Sequence, residues 1–144
     1  MDKFIYKDAL KEIGVTYLGA TTHNAKMVYS LNEGVETYCL HLAPSTLSGR
    51  NTCPNSEHCK EFCLNGAGRN KGDIILRGEE HSIINNARIK RTDAFYKKRD
   101  LFMQTLIHEI KVGYNRAKRN GRDFAVRLNG TSDLSPLVFK YKGK

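Results

Sequence analysis

The eleven residues "CPNSEHCKEFC", positions 53 to 63, hold three thiols and an imidazole. Thiolates are soft, charged donors that take zinc in tetrahedral geometry at about 2.3 Å. If Ser56 caps a short helix, Cys59 and Cys63 stand one turn apart on the same side. A loop ligand, Cys53, followed by such a pair can converge on one ion. The spacing is nevertheless not the two-residue knuckle of common zinc fingers. Cys39 and His41 fall on one face of an expected strand, so either is a candidate fourth ligand. His58 is next to Cys59 and awkward to combine with it, and His81 lies on the following helix. One structural zinc is the favoured reading. An iron–sulfur cluster on three cysteines and packed or redox-active thiols are the alternatives. A structural ion would couple folding of the loop to metal binding.

A second group, in "VRLNGTSD", crowds the end of an expected strand: Arg127, Asn129, Thr131, Ser132 and Asp133. A rigid strand presenting a polar loop is a common setting for a site. Arg127 would be its cation and Asp133 a base or metal ligand. The same residue types also build Asx and Ser/Thr turns that cap the backbone. No histidine accompanies Ser132 and Asp133 in sequence, so they make no triad. No catalytic residue is assigned, and a non-enzyme is expected.

The formal net charge is +9. Between Ala87 and Arg122 eleven Lys or Arg face three Asp or Glu. This basic helical region, placed over residues 74–119, suggests a polyanionic partner, either nucleic acid or an acidic protein face. Arg88, Lys90, Arg91, Lys97, Lys98, Lys118 and Arg119 are the candidate contacts. A solvated helix surface would account for the charge equally well.

The elements that must hold these residues follow from patterning. Residues 7–13 suggest a helix ended by Gly14, and "AKMVYSL" (25–31) and "ETYCLHL" (36–42) suggest strands of an N-terminal hairpin. In the second strand Tyr38, Leu40 and Leu42 share one face, with Thr37, Cys39 and His41 on the other. The Pro- and Gly-containing segment 43–55 reads as loop, and "LNGAGRNKGD" as a break. Helices are expected over 74–96, with a break near Thr92, and over 99–118. The second has Phe102, Leu106, Ile110, Tyr114 and Ala117 in an apolar stripe and stops at Asn120-Gly121. A C-terminal strand spans 124–128. Together these give an α+β fold in a single domain, 1–144, with a zinc-stapled Cys loop and short helix, two longer helices and a C-terminal strand.

No apolar run approaches the roughly 20 residues that span a bilayer. The charged N-terminus lacks the apolar core of a signal peptide. A cytoplasmic location, with no membrane partner, is expected. In a reducing cytosol clustered cysteines are more often metal ligands or catalytic groups than disulfides.

Four segments, "LHLAPSTLSG", "CPNSEHCKEFCLNGAGR", "ARIKRTDAFYKKRDLFMQTLIHEI" and "FAVRLNGTSDLSP", resemble in order those of the bacteriophage gene-product-88-like family, whose function is not established. The resemblance runs from Tyr38 to Leu137. It extends to Cys53, Pro54, Cys59, Cys63, Gly68, Arg69, Ala87, Arg88, Arg127, Asn129, Gly130, Thr131, Ser132 and Asp133. Cys39 lies outside that pattern, so the resemblance favours His41 as fourth ligand. Family members generally continue beyond the NGTSD-like loop, which implies a short or truncated form. Small phage proteins, some metal-containing, also serve as anti-CRISPR inhibitors of type II (Cas9) systems. The expectation is therefore a phage-encoded zinc-binding protein that inhibits a host defence nuclease such as Cas9 by direct binding. A basic nucleic-acid-binding module and a truncated metalloenzyme acting on nucleic acid are the alternatives.

Overall fold

The computed structural model describes residues 3–22, 24–59, 63 and 68–143. In chain order the elements are α1 (Tyr6–Ile13), β1 (Gly19–Ala20), α2 (Ala25–Asn32), β2 (Val35–Leu40), α3 (Gly68–Arg77), α4 (Ile83–Lys97), α5 (Arg99–Arg119) and β3 (Asp123–Arg127). Single 3-10 turns occupy Glu79–His81 and Pro136–Phe139. The fold is α+β: the described residues form five helices and a three-stranded mixed sheet of order β1-β2-β3. β1 runs antiparallel to β2, and β3 runs parallel to it.

An antiparallel strand pair therefore does lie in the N-terminal part, but its members are β1 and β2. Residues 25–31, expected as a strand, form α2. The side chain of Asn24 accepts from Met27 N at 2.9 Å and caps that helix. Gly34, at φ +87°, turns the chain into β2. A seven-residue run with one buried side chain, Met27, satisfies either period, and the cap decides it.

The helical region differs from expectation in a similar way. α3 begins at Gly68, inside the stretch expected to break, and ends before Gly78, whose φ of +80° leaves the helical region. α4 is capped by Ser82, whose hydroxyl accepts from Asn85 N at 3.1 Å, and runs through Thr92 without interruption. The Thr92 hydroxyl finds its acceptor within the helix, bonding back to Arg88 O at 2.9 Å. α1 with its Gly14 cap, and α5, lie where the patterning puts them. Residues 57–59 form a turn, and the rest of the short helix expected after Ser56 falls largely outside the described residues.

The core gathers Ile13, Leu18, Tyr38, Leu40, Leu42, Phe95, Phe102, Met103, Leu106 and Phe139. Tyr38, Leu40 and Leu42 come from one side of β2 and its continuation, as alternation requires. α5 covers this side. Arg116 Nε donates to buried Glu36 Oε1 at 2.7 Å, and Gly113 lets Phe124 of β3 approach closely. A Cβ at Gly113 would stand 3.0 Å from that ring.

Candidate functional site at the ends of the parallel strands

Past Leu40 and Arg127 the two parallel strands hand over to loops that stay bonded to each other. Gly130 N donates to Leu40 O at 2.9 Å, and the Thr131 hydroxyl donates to Leu42 O at 2.5 Å. On the other side Asp133 N donates to Thr52 O at 2.9 Å, and the fully buried Thr52 hydroxyl donates to Ala43 O at 2.5 Å. Segments 40–43, 45–53 and 129–133 are thus laced into one unit. α4 is tied to it where Ala43 N donates to the Thr92 hydroxyl at 2.9 Å.

Cys53 lies in this unit. Its sulfur accepts from Ser45 N at 3.2 Å and stands 3.8 Å from Thr131 O. His41 packs against the same loop one residue earlier. A Cβ on Gly130 would collide with the His41 ring and come 2.8 Å from Leu40 O, so only glycine fits there. Cys39 is buried, and burial raises its thiol pKa while the Arg127 and Arg88 charges pull the other way. Arg88, one turn before Thr92, has its guanidinium lowered to about 10. Burial is the main cause, Arg91 adds to it, and Cys63 and Cys39 oppose it. Cys63 is half-buried and Cys59 is exposed.

The sequence-predicted residues His41, Cys53, Cys63, Cys39, Arg88 and Arg127 therefore meet around one strand end. No group of three or more His, Cys, Asp or Glu close enough to hold a metal occurs among the described residues. All four cysteines are free of disulfides.

The 129–133 loop proves to be closed on itself. Asn129 Oδ1 accepts from the Ser132 hydroxyl at 2.8 Å and Leu134 N at 3.2 Å, and its Nδ2 donates to Leu134 O at 2.9 Å. Arg127 Nε reaches Asn129 O at 3.3 Å. The Asp133 side chain is exposed. This is the turn chemistry that Asn, Ser and Thr supply in such loops.

The candidate basic contacts do not form one patch. Arg91 is buried, with Nε donating to Tyr17 O at 3.2 Å and its guanidinium 5.0 Å from the Tyr17 ring centre. Arg88 faces the thiols. Lys90 and Lys97 are exposed, and Lys98 pairs with Glu12 at 3.3 Å. Lys118 and Arg119 lie at the far end of α5, about 30 Å along the helix axis from Lys98.

Sequence reading missed a densely hydrogen-bonded polar group. Glu109, in α5, is buried and accepts four hydrogen bonds. They come from the Tyr6 hydroxyl (2.7 Å), Leu18 N (2.9 Å), Gly19 N (2.9 Å) and the Tyr38 hydroxyl (2.5 Å). It lies in the wall of a cavity of about 380 Å³ that also touches His108 and Arg116. The available signal was its register, since Phe102, Leu106, Glu109, Gly113 and Ala117 share the buried face of α5. A carboxylate there must be fully hydrogen-bonded.

No helix among the described residues is long and apolar enough to cross a membrane. No curated protein and no solved structure is detectably similar to the chain. The family described as Gene product 88 does match, over residues 9–137, and that span takes in the laced strand ends, every cysteine and the 129–133 loop. The chain belongs to this bacteriophage protein family.

Proposed function

We propose that the strand end carrying His41 and the cysteines is a metal centre that organises a binding surface. One zinc would be held by Cys53, Cys59, Cys63 and His41, with Cys39 as the competitor for the fourth place. The observation that carries this is the convergence of Cys53 and His41, twelve positions apart in sequence, on the adjacent residues Thr131 and Gly130. The donor chemistry fits: Ser45 N aims its hydrogen at the Cys53 sulfur, as second-shell donors do for bound thiolates. When bound, such an ion would supply cross-linking of the 53–63 loop to the sheet. Asn129 and Ser132 take part in closing their own loop, which suits a structural centre.

In a phage protein this surface would act by direct binding, and a host defence nuclease of the Cas9 type is the first target to test. Exposed Lys90, Lys97, Lys118 and Arg119 would steer association with an acidic face. The deciding experiment is elemental mass spectrometry with an absorption spectrum, on wild type and Cys59→Ser, followed by pull-down with the nuclease. One zinc per chain, lost in the variant, and a complex that survives nucleic-acid digestion are the expected results. A fully folded protein that is purified without metal and takes up none when zinc or iron is supplied would overturn the reading.

A second reading has an observation of its own. Cys39 and Cys53 lie at the C-terminal ends of two parallel strands, where α/β enzymes place their active sites. This favours a metalloenzyme, with an iron–sulfur cluster on Cys53, Cys59 and Cys63. Iron with a visible charge-transfer band in the same experiment would select it.

A further inference from the structure

The outer edge of β3 carries a self-complementary pattern. β3 is an end strand of the sheet, and its sequence is Asp123-Phe124-Ala125-Val126-Arg127. Asp123, Ala125, Val126 and Arg127 are exposed, Val126 at 42%. Asp123 N donates inward to Gly34 O at 3.0 Å. Backbone groups alternate sides along a strand, so those of Ala125 and Arg127 also face β2 and those of Phe124 and Val126 face outward. No proline interrupts this edge, and its charges are confined to Asp123 and Arg127 at its two ends.

We infer that β3 pairs antiparallel with β3 of a second copy of this chain, about a two-fold axis at Ala125, giving a six-stranded sheet. In that register Phe124 of one copy lies opposite Val126 of the other. Their outward N–H and C=O groups exchange as a hydrogen-bonded pair, made twice by symmetry. Asp123 then lies opposite Arg127 of the second copy, again twice. Both side chains are on the same sheet face, because residues two and four apart share a face. Each end of the pairing places opposite charges together, and the two-fold closes the assembly without leaving β3 free to recruit a third chain. A parallel pairing in register would instead put Asp beside Asp and Arg beside Arg. Charge therefore selects the antiparallel arrangement and the second copy as occupant.

The test is light scattering behind size-exclusion chromatography on the full chain across a concentration series, with four proteins. Wild type is expected to be dimeric. Asp123→Arg and Arg127→Asp each set like charges opposite one another twice and weaken self-association about tenfold or more. Mixing these two variants one to one restores complementarity at both ends, so a heterodimer forms with near wild-type affinity. Val126→Pro removes an outward N–H without touching the β2 pairing and also yields monomer. A wild-type monomer at millimolar concentration overturns the inference. So does a dimer indifferent to the charge variants, or a mixture that fails to form the heterodimer.

Discussion

The Tyr38 hydroxyl donates to Glu109 Oε2 at 2.5 Å, joining the central strand to α5 across 71 residues of sequence. With Tyr6, Leu18 N and Gly19 N it completes a shell of four donors around one buried carboxylate. Glu109→Gln keeps the size but turns one acceptor into an amide donor facing N–H and O–H groups. The expected loss is about 2–4 kcal/mol, from chemical denaturation at neutral pH. Tyr38→Phe leaves three donors in place and should cost less, about 1–2 kcal/mol. If Glu109→Gln unfolds at the wild-type midpoint, the cluster contributes nothing to stability.

The same cluster sets an alkaline limit. Burial, followed by the Glu109 charge and hydrogen bond, raises the Tyr38 pKa, and burial with the same carboxylate raises Tyr6. Both hydroxyls stay protonated in the fold, while in the unfolded chain they ionise near pH 10. The unfolded state therefore holds fewer protons above that pH. Stability from this source is complete below pH 10 and falls as pH climbs beyond it. Denaturation midpoints measured from pH 8 to 11 should drop at the alkaline end, and Tyr38→Phe should flatten the slope.

Thiol reactivity should follow burial. Exposed Cys59 is expected to be alkylated first by iodoacetamide in metal-free native protein, and buried Cys39, whose thiol pKa is raised, last. Added zinc should protect Cys53, Cys59 and Cys63 together and leave the rate at Cys39 unchanged. Peptide mapping by mass spectrometry reads both orders. Protection that includes Cys39 but omits Cys59 would replace the proposed ligand set.

Gly130→Ala tests how tightly the loop is held. The added methyl meets the His41 ring on one side and Leu40 O, a backbone atom that cannot rotate away, on the other. A loss of about 1–3 kcal/mol is expected in thermal or denaturant melts. Full stability in this variant would mean the 129–133 loop is not fastened to β2.

The long, strongly patterned elements were legible. α5 follows from the spacing of Phe102, Leu106 and Ala117, and α1 from the Gly14 stop, because both patterns extend over several turns or end on a residue suited to positive φ. α2 is not legible in the pattern, since seven residues hold too few periods to separate strand from helix, and the Asn24 cap decides it. α3 formed through its glycines because Asn70 and Asp73 on it are tied to Ser82 and Asn85 by a buried hydrogen-bond group, which no local propensity reveals. In the site, the cysteine spacing singled out a segment whose first thiol, Cys53, packs beside Thr131. The lacing of Thr52, Thr131 and Thr92 into strand carbonyls and amides depends on contacts up to 89 residues apart and had no local signature.

The parallel pairing of β2 with β3 has a kinetic side. α3, α4 and α5 all lie between the two strands, so the sheet closes only after a long loop has been drawn in, a slow class of event. Cys53, Cys59 and Cys63 are neighbours in the chain, whereas the Thr131 carbonyl beside Cys53 is 78 residues away. During synthesis the thiols are complete as a set well before their surroundings exist. An ion of the kind proposed would meet them first as a short, open peptide, before the fold can discriminate. For the proposed metal centre, loading would then depend on what is present during those first moments as much as on the finished site.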